Sequence, residues 1–268
     1  MWNAILYNNS VEKLEILKAH LQDLADQCQK FFAVRSSNFI SLNDLESLGF
    51  QEGKGEFNGT QYIVFGGLES SERCIVCFIP PYLEEEDTIT ILQENNSIYS
   101  LVFEPKSEAF STPYGHRDVL GALMNEGIKR ETIGDIIVEG SKAYVFLTKT
   151  AYLEAKGIDR IRNCPVTPRD LPLGQCPIKI KREEFAITVA SNRLDLIVAA
   201  SFHLSREEAQ RFIAAKKVHF GIQERAENDS TPLPREKIYV EGKGKLRYLG
   251  EAGSSKKGKL ILKLERYL

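Results

Sequence analysis

The chain has 268 residues, enough for two or three folding units, and its 43% hydrophobic and 27% charged content is that of a globular protein. No basic start followed by a short apolar run opens it, and nowhere do about 18 apolar residues stand together, which argues against secretion and membrane spanning. The net charge of −2 hides a split: residues 1–180 carry 17 Lys and Arg against 25 Asp and Glu, whereas residues 181–268 carry 18 against 12, and halves of opposite sign suggest that one of them meets a polyanion.

Val11, Leu14, Leu17, Leu21 and Leu24 recur at helical spacing and predict an amphipathic helix. "SLNDLESLGF" predicts a short second helix, with Ser41 as N-cap and Gly49 as its stop. "TQYIVFGG" and "RCIVCFIPP" read as two strands of a hairpin joined by "LESSE". Together they form an N-terminal α/β unit, residues 1–87, that closes on the acidic run Glu84 to Asp87. The Cys74-x-x-Cys77 spacing invites a metal or redox reading, but it lies inside an apolar, β-branched run. The five cysteines, at 28, 74, 77, 164 and 176, are therefore expected to be reduced structural thiols, with no metal site and no cofactor.

Residues 88–172 predict a second unit. "IYSLVFEP" reads as a strand, "YGHRDVLGALMNEG" as a helix stopped by Gly127, "DIIVEGSKAYVFLT" as two strands and "KTAYLEAKG" as a helix. That order fits a split βαβ sheet of RRM-like shape, although the basic and aromatic glycine signature that stacks bases on such sheets is missing. "NCPVTPRDLPLGQCP" holds four prolines and reads as an irregular connection, with residues 173–179 as a linker. The expected fold class is thus α+β in three small domains, the third spanning residues 180–268.

In that third unit Leu194, Ile197 and Val198 make one helical face. Ser205 and Glu208 then form a capping box that starts a second helix at Arg206, with Ala209, Phe212 and Ile213 as its apolar stripe. On a helical wheel Arg206 and Gln210 fall within about 40° of each other beside this stripe, and Lys217 extends the edge if the helix runs that far. A cation at a helix N-terminus gains nothing from the macrodipole. Beside first-turn amides it suits an incoming phosphate, and the alternative is pairing with Glu207 or another nearby acid. On the first reading Arg206→Glu weakens RNA binding and spares stability. Basic glycine turns follow, with Lys243 and Lys245 around Gly244, and Lys256, Lys257 and Lys259 around Gly258.

Arg193-Leu194-Asp195, Ala199, Ser205-Arg206, Ala209, Ile213 and Val218 resemble, in order and spacing, the RNA-binding domain named after small-subunit ribosomal protein S-four. The resemblance implies that Arg193, Arg206, Arg211, Lys216 and Lys217 face structured RNA. The family's V-x-V-N-G turn is replaced here by Val218-His219-Phe220-Gly221-Ile222, followed by the loop "QERAENDSTPLPRE". Upstream, "FSTPYGHRDVLGALMNEGIKRETIGDIIVEG" resembles the central domain of the YlmH-like proteins, factors of bacterial ribosome-associated quality control, and "SNFISLNDLESLGF" and "GGLESSERCIVCFIPP" resemble their N-terminal domain more loosely. This likeness implies a cytoplasmic, monomeric, non-enzymatic protein that binds ribosomal RNA and peptidyl-tRNA on the large ribosomal subunit.

Two other classes compete. An RNA-modifying enzyme is suggested by "GHRD", which is similar to a pseudouridine synthase strand motif, but the residues after it read as a helix in whose first turn Asp118 is expected on dipole grounds. A protein-binding scaffold for cell division or assembly predicts little affinity for RNA. Arg117, Lys129 and Arg130 read either as a second phosphate-facing patch or as the solvated basic end of a capped helix.

Overall fold

Helix α1 (Trp2–Phe31) sets Leu21, Ala25 and Cys28 on one face, at the spacing of successive turns, and buries them on the first sheet. The computed structural model describes residues 2–69, 71–107, 112–179, 182–220, 226–234 and 236–267, with only the backbone of 2–11 and of 267. Ser70, Phe110, Gly221 and Ile222, which enter the sequence motifs, lie outside the described residues. Residues 11–179 make one compact unit, and residues 180–268 with 1–10 another.

The first sheet follows α1. It holds β1 (Arg35–Ser36), β2 (Ile40–Ser41), β3 (Gly53–Phe57), β4 (Thr60–Phe65) and β5 (Arg73–Ile79), paired antiparallel in the order β1-β5-β4-β3 with β2 also on β5. Between β2 and β3, α2 (Leu42–Ser47) starts where the Ser41 hydroxyl accepts from the Asp44 amide, and Gly49, at φ +90°, turns the chain away from it. Strand β5 runs unbroken through Cys74 and Cys77, so alternation sends the two thiols to opposite faces, and the C-x-x-C spacing brings no sulfur pair together. Burial pushes the Cys28 thiol up to about 11 and raises Cys77 as well, which keeps both protonated and unreactive at neutral pH.

The second sheet is built from α3 (Thr88–Glu94), β6 (Tyr99–Pro105), α4 (His116–Asn125), β7 (Ile133–Glu139), β8 (Lys142–Leu147), α5 (Lys149–Ala155), β9 (Arg160–Ile161) and β10 (Cys164–Leu171). Its strands run antiparallel in the order β7-β8-β6-β10-β9, which is the connectivity of a split βαβ sheet. The proline-rich stretch is a correction to the sequence reading. Instead of an irregular connection, residues 164–171 form β10, with Pro168 opposite Phe103 and Pro165 opposite Arg160. The prolines are tolerated because β9 is only two residues long; beyond Pro165, β10 is an edge strand that needs amide donors on one side alone. The segment after it, expected as a linker, packs as well: Leu173 is buried and Gly174 lies against Ile89.

The first two sheets are locked together. The half-buried Arg73 guanidinium donates to the carbonyls of Ile133 (2.9 Å) and Phe39 (2.7 Å), while the Asp135 carboxylate accepts from the amides of Glu72 (2.7 Å) and Arg73 (3.1 Å). Burial, with the nearby charge of Arg130, lowers Arg73 to about 10, still fully protonated at neutral pH. At the same seam a Cβ on Gly134 would stand 2.6 Å from the Phe39 ring, and one on Gly67 would stand 2.1 Å from the Phe146 ring. Phe146, Tyr144, Val102 and Ser100, on the sheet face away from α4 and α5, are all buried. Over these residues the face on which RRM-like sheets stack bases is closed by the chain itself, while Lys142, Glu104 and Arg169 keep its other end open to solvent.

The C-terminal unit comprises β11 (Arg182–Val189), α6 (Leu194–Ser201), α7 (Arg206–Ala214), β12 (Val218–Phe220), β13 (Lys237–Val240), β14 (Gly244–Ser254) and β15 (Leu260–Tyr267), with strand order β11-β15-β14-β13-β12. Alternate residues Ile187, Val189, Leu246, Tyr248, Leu262 and Leu264 face the helix pair, where Leu194, Ile197, Val198, Ala209 and Ile213 complete the core.

Gly67 has φ +105° and no room for a methyl group, so Gly67→Ala should lower stability by about 3 kcal/mol through strain and overpacking. Urea unfolding of the full chain is the measurement, with the midpoint falling and the slope unchanged.

Candidate nucleic-acid interface

The helix pair is organised by one carboxylate. Asp195, in the first turn of α6, is fully buried, yet three side chains reach it: Arg193 Nε at 3.1 Å, Arg206 Nε at 3.0 Å and Gln210 Nε2 at 3.0 Å. Arg193 is the N-cap of α6 and Arg206 opens α7, so the two helix starts converge on the same group. Gln210 comes in one turn further along α7, which is why it shares the edge with Arg206. Burial alone would raise the Asp195 carboxyl, but the hydrogen bonds from Arg193, Gln210 and Arg206 together outweigh it and hold the group below its ordinary value. Arg206 thus has a partner within the protein, and the nearby acid is Asp195 rather than Glu207. The expectation that it stands unpaired, and that Arg206→Glu would spare stability, is corrected: a glutamate there would face a buried carboxylate.

The arginines are not consumed by this contact. Their side chains stay 37% (Arg193) and 54% (Arg206) exposed, so both guanidinium groups remain open to solvent, with Asp229 also acting on Arg193. The first amides of α6 are taken, however. Leu194 N–H donates to the Ser230 carbonyl at 2.8 Å and Asp195 N–H to that of Asn228 at 3.2 Å, which is where the described part of the inserted "QERAENDSTPLPRE" loop folds back. At the start of α7, Ser205 and Glu208 complete the capping box as the sequence suggested.

Both helices end in left-handed residues. His203 (φ +54°) closes α6, with Leu204 N–H donating to the Ala199 carbonyl. Lys216 (φ +57°) closes α7, with Lys217 N–H donating to the Phe212 carbonyl at 2.9 Å. The helix therefore stops at Ala214, and Lys217 does not extend the Arg206–Gln210 edge; it begins the path into β12 instead. Lys216 and Lys217 are both exposed, and Glu241 N–H donates to the Lys217 carbonyl. A second grouping surrounds Glu208, whose carboxyl is held low by the Ser205 hydrogen bonds and by the charges of Arg211 and Lys243. Lys243 is exposed in the turn before β14, and Lys245 is half-exposed on β14 opposite Tyr239.

The central residues are dispersed. Arg117 is exposed in the first turn of α4, whereas Lys129 lies beyond its far end, roughly 15 Å away along a ten-residue helix. Arg130 is half-buried, its guanidinium donates to the Ile133 carbonyl at 2.7 Å, and burial lowers its pKa. These three residues do not form one patch. Asp118 accepts from the Gly115 amide at 2.9 Å, the capping role its place in the helix predicts. Sequence reasoning missed the joining role of Asp195, because its partners lie 11 and 15 residues downstream. It also passed over His219 and Tyr239, which the alternation of "VHF" and "KIYV" puts on the solvent face.

Asp195→Asn should cost about 2–3 kcal/mol, because two guanidinium groups lose their counter-charge while part of each can rehydrate. With its folded pKa depressed, Asp195 contributes stability above its unfolded value and loses it as pH falls below about 4. Thermal unfolding of the two proteins from pH 7 to pH 3 should therefore show the gap narrowing only at the acid end.

Residues 103–175 match the family described as "Putative RNA-binding domain in YlmH". Over 211 residues the chain is 26% identical to the "Ribosome-associated protein quality control protein P2" of Bacillus subtilis (strain 168), a match that covers 75% of this chain and 76% of that protein. A solved structure, "Cell division protein ylmH from Streptococcus pneumoniae", is 19% identical with a TM-score of 0.39, covering 62% of this chain and 90% of that one. Residues 103–175 thus match the YlmH RNA-binding family, and over three quarters of its length the chain is similar to a ribosome-associated relative.

Proposed function

We propose that the chain binds RNA on the large ribosomal subunit, contacting ribosomal RNA and tRNA, and acts in quality control of stalled translation without chemistry of its own. The reading takes the chain as a cytoplasmic monomer in three parts, residues 1–87, 88–172 and 180–268. The description of the matched family and the printed name of the Bacillus relative support the RNA and ribosome partners. The resemblance of residues 193–218 to the S-four domain supports the same surface.

The observation that carries the reading is the set of exposed cations around the helix pair, in a unit whose charge is net positive. Arg193 and Arg206 share Asp195, Arg211 and Lys243 flank Glu208, and Lys216 and Lys217 stand exposed where α7 ends. A fold that needed only neutrality would match cation to anion. The 18 Lys and Arg against 12 Asp and Glu of residues 181–268 leave charge for phosphate oxygens. Asp118, the residue that suggested catalysis, is occupied as a helix cap.

Sedimentation of the full chain with large ribosomal subunits tests the proposal: association should be stronger with subunits carrying peptidyl-tRNA than with empty ones and should fall steeply as salt rises. Loss of that salt dependence, or equal recovery without subunits, would reject it. Lys216→Gly separates binding from folding. It relieves a left-handed lysine and should raise stability by about 0.5–1 kcal/mol while weakening the association several-fold. A nucleoside profile of ribosomal RNA and tRNA incubated with the protein should be unchanged.

A further inference from the structure

On the solvent face of the C-terminal sheet, three strands align a single row of side chains. His219 on β12 is the register partner of Tyr239 on β13, and Tyr239 is the partner of Lys245 on β14. Their neighbours Val218, Phe220, Ile238, Val240 and Leu246 all point to the core, so alternation leaves this row outward. The imidazole and phenol rings lie nearly parallel, 26° between planes and 5.9 Å between centroids. They are nonetheless open to solvent: Tyr239 is 39% exposed and the His219 side chain 57%. Glu241 Oε1 lies 3.3 Å from His219 Nε2, within hydrogen-bond reach of that ring nitrogen.

We infer that the His219–Tyr239 pair is a stacking platform for an unpaired RNA base, on the sheet face away from the helix pair and bordered by Lys217, Lys243 and Lys245. The inference rests on the RNA-binding reading and names the kind of RNA that site prefers. Two aromatic rings already aligned present a flat face on which a third ring continues the stack. Any base has such a face, so recognition depends on the base being unpaired and not on its identity. The charge around the row fits the occupant. Lys217 leads directly into β12, Lys243 sits in the turn that joins β13 to β14, and Lys245 ends the row itself. A sugar–phosphate backbone running over these lysines would place a flipped base against the rings. The buried aromatics of the central sheet give the C-terminal row added weight, since bases cannot stack on Phe146 and Tyr144.

The test uses the full chain and two labelled RNA hairpins that differ only in a three-nucleotide bulge, with 2-aminopurine in the bulge. The native protein should bind the bulged hairpin at least about fivefold tighter and quench the 2-aminopurine, and Tyr239→Phe should keep both properties. Tyr239→Leu, which retains an apolar strand residue but no ring face, should lose the preference while binding the fully paired hairpin as before. Equal native affinity for the two hairpins, or a preference that survives Tyr239→Leu together with His219→Ala, overturns the platform and leaves the RNA-binding reading standing. No affinity for either hairpin overturns both. Unchanged RNA preference with lost association to ribosomal subunits in Tyr239→Leu assigns the row to a protein contact and equally rejects the base-stacking role.

Discussion

The C-terminal unit depends on placing one negative charge where water cannot reach it. A buried carboxylate is tolerable only if it is fully hydrogen-bonded, and Asp195 meets that condition by drawing Arg193 and Arg206 inward from the starts of two helices, with Gln210 beside them. The requirement fixes more than a salt bridge. It ties the tip of α6 to the tip of α7 and holds two long, otherwise mobile side chains in one orientation. Their remaining donors face outward as an ordered array. The entropy of immobilising those arginines is thus met during folding, before any phosphate arrives.

Much of this was legible in the sequence, and what was not has identifiable physical causes. The helices, their cap and their apolar stripes follow from periodicity and short-range chemistry, so Ser205 and Glu208, Leu194 and Ile197 are read correctly from local spacing. Asp195 stands in plain view within "RLD" beside its local partner Arg193, but Arg206 and Gln210 are joined to it by tertiary geometry, and no spacing rule converts 11 and 15 residues into hydrogen-bond distance. The same limit applies to β10. Prolines argue against a strand when its neighbours are unknown, and only the shortness of β9 shows that no donors are needed on that side. The end of α7 stayed open in the sequence for a third reason. A lysine in the left-handed region defies propensity, so the stop at Ala214 carries none of the usual glycine signal.

Compared with the C-terminal unit, residues 11–179 rely on a different device. There the two sheets meet through backbone carbonyls gathered by Arg73 and amides gathered by Asp135, and through glycines that allow Phe39 and Phe146 to approach the chain closely. Every one of these contacts is specific in direction. The seam consequently tolerates little sliding, unlike a purely apolar interface, in which side chains can repack.

That rigidity gives the charge distribution a mechanical meaning. Residues 1–87 carry 6 Lys and Arg against 14 Asp and Glu, while residues 88–179 balance at 11 against 11. Because the seam around Arg73 holds the two sheets as one piece, this imbalance cannot be relieved by one sheet turning away from the other: repulsion from a dense polyanion is felt by residues 11–179 as a single stiff body.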